Sequence, residues 1–149
     1  MPEWRTPFEE VQIGTGRVIN EGEEMAILTI GHIGNYAVEA IKQLQETGIN
    51  PGHYDMRFVK PLDEKMLDHI FTKYKKVITV EDGTIVGGFG SAVVEYMAIK
   101  GYQAQVKLLG IPDRIVEHGT QSELHQECGF DEKGIYQAVV KMLEPSLVK

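Results

Sequence analysis

A chain of 149 residues, 42% hydrophobic and 25% charged, has the length and composition of one globular domain with its own core. Its formal net charge of -7 argues against nucleic-acid binding, which calls for a basic face, and no apolar run approaches the roughly 20 residues that span a bilayer. The single cysteine, Cys128, excludes an intrachain disulfide and a cysteine-cluster metal site, so a reducing cytoplasm is the expected compartment.

Residues 1–22 read differently from the rest, as a linker remnant and edge segment. Met1 to Glu10 carries Pro2, Trp4, Pro7 and Phe8 with neither helical nor strand period, which predicts an extended arm whose aromatic side chains need a surface to pack on. Val11 to Ile19, broken by Gly14 and Gly16, predicts a short edge strand or ribbon. Residues 23–149 predict the domain proper. Glu24 to Ile30 suits a buried strand, Gly31-His-Ile-Gly34 its turn, and Asn35 to Thr47 a helix with Tyr36, Ala37, Ala40, Ile41 and Leu44 on one face. Gly48 and Pro51 end that helix, and Tyr54 to Val59 alternates as a second strand. Asp63 is positioned to cap a helix whose apolar stripe is Met66, Leu67, Ile70, Phe71 and Tyr74.

Val77 to Val80 predicts a buried strand running straight into Glu81 and Asp82. A turn with Gly83, Gly87, Gly88 and Gly90 follows, then a helix from Ser91 to Lys100 stopped at Gly101. Gln105 to Leu109 predicts another strand, ending in the polar loop Gly110 to Gly119. Thr120-Gln-Ser-Glu123 matches a capping box, so a short helix runs to Gly129. Asp131 caps a last helix with Ile135, Ala138, Val139, Met142 and Leu143 on one face, and Pro145 closes the fold. This alternation of strand and helix predicts an α/β domain with a mostly parallel sheet covered on both faces. Ligands and partners of such sheets sit beyond the carboxyl ends of the strands, which places Glu81 and Asp82 on the functional edge.

Familiar catalytic motifs are incomplete. None of the 16 glycines is followed by lysine, which excludes a Walker A loop, and Gly88-Phe-Gly90 lacks the third glycine of a dinucleotide turn because Val93 stands there. Glu81-Asp-Gly83 suggests half of a thiamine-diphosphate metal clamp, but the asparagines, Asn20, Asn35 and Asn50, all lie upstream of it. Of the histidines, His69 and His125 read as exposed helix residues, while His32 and His118 follow strand ends and face water or a partner. Asp113 and Arg114 read as an ion pair or cap, with an anion or subunit contact as the functional alternative for Arg114. Ser91 and Ser122 read as helix-start residues and Cys128 as buried filler.

One ordered series of motifs carries a resemblance. Gly14-Thr-Gly-Arg17, the strand ending in Gly31, Asp55-Met-Arg-Phe-Val-Lys-Pro-Leu-Asp63, Val80-Glu-Asp82, Gly87-Gly-Phe-Gly-Ser91, Ile111-Pro-Asp-Arg114 and His118-Gly-Thr-Gln121 together resemble the C-terminal domain of the 1-deoxy-D-xylulose-5-phosphate synthases, in the transketolase superfamily. The likeness covers about Trp4 to Leu143. It implies a three-layer α/β/α fold with a five-stranded, mostly parallel sheet and one antiparallel edge strand. It also implies a larger cytoplasmic, homodimeric transferase that condenses pyruvate with glyceraldehyde 3-phosphate, releasing carbon dioxide, on thiamine diphosphate and magnesium, at the entry to isoprenoid precursors. The cofactor and catalytic groups belong to other domains of that enzyme, so this domain is expected to hold no catalytic, cofactor or metal residues and to be inactive alone. Its partners are then those missing domains, with His32, Glu81, Asp82, Arg114 and His118 lining an interdomain face near the active-site rim. Two alternatives stay open: an autonomous small-anion or nucleotide module using the Gly87–Ser91 helix start, and the equivalent domain of transketolase or of a 2-oxoacid dehydrogenase β subunit.

Overall fold

A computed structural model describes residues 9–144; the expectations for Trp4, Phe8 and Pro145 lie outside the described residues. Arg17–Asn20 (β1), Ala26–Thr29 (β2), Gly52–Asp55 (β3), Lys76–Thr84 (β4) and Gln105–Ile111 (β5) form one sheet in the order β1-β3-β2-β4-β5. β2 to β5 pair in parallel, and β1 lies antiparallel on the outer edge of β3. The helices are Gly34–Glu46 (α1), Glu64–Lys73 (α2), Phe89–Lys100 (α3), Gln121–Cys128 (α4) and Glu132–Leu143 (α5). This is the expected α/β architecture.

Alternation along the strands divides the core in two. Ile27, Ile78 and Val80 pack with Ala37 and Leu44 of α1 and with Ile135 and Val139 of α5. Ala26, Leu28 and Val77 face the other way, onto Leu67 and Phe71 of α2 and Phe89 and Val93 of α3. At 10 residues α2 is too short to persist alone. Its fully buried Leu67, Ile70 and Phe71 hold it on the sheet, each contributing about 2 kcal/mol of apolar burial.

Helix ends follow the sequence closely. Asp63 accepts the Met66 N–H at 2.9 Å, Thr120 and Glu123 form the reciprocal capping box, and Asp131 accepts the Gly134 N–H at 2.8 Å. Asp63 does more than cap, because its second oxygen accepts the Gly16 N–H at 2.8 Å and ties the approach to β1 onto α2. Asp63→Ala is expected to cost about 2 kcal/mol in urea unfolding and to speed hydrogen exchange at the Gly16 amide.

Departures at two strands shape the region beyond the strand ends. β3 begins at Gly52 and ends at Asp55, where Tyr54 to Val59 was expected. Gly52 is packed so closely that a Cβ would stand 2.6 Å from the Tyr74 hydroxyl, and Arg57, at φ 57°, turns the chain out of the extended region just after Asp55. The Arg57 N–H bonds back to Asp55 Oδ1 at 3.1 Å, which steadies this turn. β4 runs on to Thr84 instead of stopping at Val80, so Glu81 and Asp82 belong to the strand itself, across a register break against β5.

The path of the chain creates one crevice. From β2 it goes out to β3 on one side, then crosses back past β2 to β4 on the other. β2 and β4 are therefore neighbours whose connections leave in opposite directions, the arrangement that opens a binding crevice beyond their carboxyl ends.

Candidate functional site

Three elements meet at that crevice. A 3-10 turn, Gly31–Ile33, follows β2 and carries His32; β4 brings Asp82; α4 brings His125. Asp82 Oδ2 lies 3.6 Å from His32 Nε2 and 3.4 Å from His125 Nε2. His32 is exposed, whereas the His125 side chain is only 5% exposed. The His125 ring stands edge-on to Tyr36, whose hydroxyl is 3.3 Å from Nδ1, and lies 4.8 Å from the Phe130 ring. Beside it opens a cavity of about 320 Å³ with apolar walls that include Ile111, Val116, Leu124 and Phe130. Cys128 also lines this cavity, but burial pushes its thiol up, away from the thiolate form a nucleophile needs.

The burial of His125 corrects the expectation of an exposed helix residue. α4 is polar almost throughout, and Leu124, His125 and Cys128 form its sole stripe with any apolar character. The capping box and the left-handed Gly129 fix both ends of the helix, so this stripe must turn inward. The spacing of those residues was the available signal.

Glu81 is a second correction. Side chains alternate along β4, so Asp82 points to the crevice and Glu81 points the opposite way, 4% exposed. Its Oε2 accepts the Phe89 N–H and its Oε1 the Gly90 N–H, each at 2.8 Å. Glu81 is thus the cap of α3 and not a rim residue. The same bonds fill the helix start that an anion-binding module would use. Gly88 is required here, since a Cβ would lie 2.1 Å from the Thr84 carbonyl and 2.3 Å from Glu81 Oε2.

Arg114 pairs with Glu127 of α4 at 2.8 Å, not with Asp113. It and the exposed His118 stay on the loop between β5 and α4, outside the His32–Asp82–His125 cluster. Nor do Glu81, Asp82 and Gly83 fit a clamp for magnesium and a cofactor diphosphate. Glu81 is committed to backbone amides, Asp82 is set between two imidazoles, and Asn20 is bonded to Asn50 and the Pro51 carbonyl on the far edge of the sheet.

A separate polar group is buried between β2 and β3. His53 is 1% exposed, with Nε2 2.9 Å from Thr29 Oγ1 and no partner for Nδ1 among the described residues. Burial lowers its pKa from 6.5 to about 4, opposed by the nearby Asp55 and reinforced by Arg17. Among the described residues, no helix is long and apolar enough to cross a membrane.

Residues 14–135 match the family described as "Transketolase, C-terminal domain". A 1-deoxy-D-xylulose-5-phosphate synthase of Cytophaga hutchinsonii is 62% identical over 139 residues, covering 93% of this chain and 22% of the relative. The synthase of Phocaeicola vulgatus is 48% identical with the same coverage, and that of Aquifex aeolicus 46% identical over 89% of this chain and 21% of its own. The chain thus spans about a fifth of the length of the curated relatives it matches. A solved structure described as a split gene transketolase, inactive beta4 tetramer, superposes with a TM-score of 0.85 at 31% identity, over 95% of this chain and 46% of that one. A transketolase mutant from Pichia Stipitis shares the fold, with a TM-score of 0.61 at 20% identity over 86% of this chain and 18% of its own. With most of its length inside the family match and the same α/β fold in both solved structures, the chain belongs to the transketolase C-terminal domain family.

Proposed function

We propose that this chain is the C-terminal interface domain of a cytoplasmic, dimeric 1-deoxy-D-xylulose-5-phosphate synthase. That enzyme joins pyruvate to glyceraldehyde 3-phosphate on thiamine diphosphate and magnesium. In this reading the domain performs no bond chemistry. It packs against the cofactor-binding domains of the same polypeptide, and residues 1–22 are the end of the linker plus the edge segment. His32, Asp82, Arg114 and His118 face those domains near the active-site rim.

The observation that carries the reading is the pairing of 62% identity across nearly the whole chain with only 22% coverage of the relative. The identity favours the synthase over transketolase or a 2-oxoacid dehydrogenase, and the coverage leaves room for the cofactor domains elsewhere. The split gene transketolase, 31% identical to this chain and described as an inactive beta4 tetramer, is in keeping with a part that needs its counterpart.

Calorimetric titration of thiamine diphosphate with magnesium into the 149-residue chain is expected to give no saturable heat. Stoichiometric binding, or turnover of pyruvate and glyceraldehyde 3-phosphate by the chain alone, overturns the proposal.

A further inference from the structure

We propose that His32, Asp82 and His125 bind a divalent transition-metal cation of the zinc class, with the fourth coordination position open to the adjoining cavity. This goes beyond the interface reading and does not depend on it. One ligand atom from each residue lies within 4.8 Å of the other two. Both imidazoles present Nε2 to the same carboxylate oxygen, at 3.6 Å and 3.4 Å. Those separations exceed the roughly 2.7–3.2 Å of an N–H···O hydrogen bond, so the cluster is not explained as a hydrogen-bonded triad. They lie close to the edge of a coordination tetrahedron, about 3.3 Å when the metal–ligand bonds are about 2.0–2.1 Å.

The surroundings suit a cation. Asp82 is fixed on a strand, and the His125 ring is held between Tyr36 and Phe130, with the Tyr36 hydroxyl beside its remote nitrogen. A polar partner on the non-ligating nitrogen is the usual way a protein orients a metal-binding imidazole. His32 is 57% exposed, so a change of rotamer that closes the remaining gap between the two rings meets little packing. The three ligands come from the turn after β2, the end of β4 and α4, so a bound ion would cross-link three segments distant in sequence.

The donor set narrows the ligand. Two imidazoles and one carboxylate favour zinc, cobalt or nickel over magnesium and calcium, which prefer all-oxygen shells. The cavity of about 320 Å³ leaves space for a water or a ligand oxygen in the fourth position.

Cobalt(II) gives a direct readout, because four-coordinate sites show intense visible d–d bands. Titrated into the full chain, it is expected to bind once per chain with such bands, to be displaced by zinc and to be unaffected by magnesium. His32→Ala and Asp82→Asn are each expected to weaken binding at least about tenfold, and His125→Asn further. His69→Ala, on the exposed face of α2, is expected to change nothing. His125 is buried and its replacement endangers folding, so the exposed His32 is the decisive position. Absence of saturable cobalt and zinc binding, or binding that His32→Ala and Asp82→Asn leave intact, overturns the proposal.

Discussion

Glu81→Ala is expected to lower stability by about 4 kcal/mol, read as a fall in the urea midpoint at unchanged slope. The carboxylate makes two charge-assisted bonds, to the amides of Phe89 and Gly90, and both amides are buried with it. Removing it leaves two buried donors at a helix start without their acceptor, which costs more than the bonds themselves contribute. It also empties the space against which Gly88 and Gly90 are packed. Glu81→Gln, keeping the shape but one acceptor oxygen, is expected to lose about half as much. Asp82→Ala, one residue on but facing the crevice, is expected to change stability by less than about 1 kcal/mol. Equal losses at Glu81 and Asp82 would refute the assignment of Glu81 as the cap of α3. Against a total stability of about 5–15 kcal/mol, this one carboxylate accounts for a quarter or more of what holds the domain folded.

Acidification is expected to remove about 3 kcal/mol through His53 alone. Its pKa falls from 6.5 to about 4 on folding, so the folded ring is neutral while the unfolded ring takes up a proton first. Above about pH 6.5 both states are neutral and the histidine adds no pH dependence. Between 6.5 and 4 the unfolded chain binds more protons, and stability drains away as pH falls. Below about 4 both states are protonated and the loss levels off. Carboxylates also titrate in this range, so the test is a difference: urea midpoints from pH 7 to pH 4 for the parent chain and for His53→Gln. The variant is expected to show the shallower slope. Identical slopes would mean that folding does not lower the His53 pKa.

Much of the architecture was legible because local chemistry and tertiary packing agree. The caps at Asp63, Thr120 and Asp131 need only a side-chain oxygen three residues from a free amide, and that spacing is written in the chain. The stripes of α1 and α5 follow the helical period because one face meets the sheet. β3 was misplaced because its end is set by a left-handed Arg57 and its start by a close approach to Tyr74, neither of which leaves an apolar pattern.

The candidate site was harder to read. His32 and Asp82 were expected at a functional edge, and the structure brings them together. His125 stands 93 positions beyond His32 and joins them through the packing of α4; the stripe of Leu124, His125 and Cys128 signals that this face turns inward, but not that it meets His32 and Asp82. Glu81 and Asp82 looked alike as neighbours, and strand alternation sent one to the core and the other to the crevice.

The sheet ends on one side at β5, whose outer backbone has no strand beside it among the described residues. A bare edge of this kind is a template on which a second chain can add a strand and begin a fibril. Gln105 and Lys107 occupy its exposed positions, and Lys141 of α5 lines the adjoining groove. A second copy docking there would bring the lysines of both chains together and strand them away from water. That repulsion discourages edge-to-edge aggregation at β5.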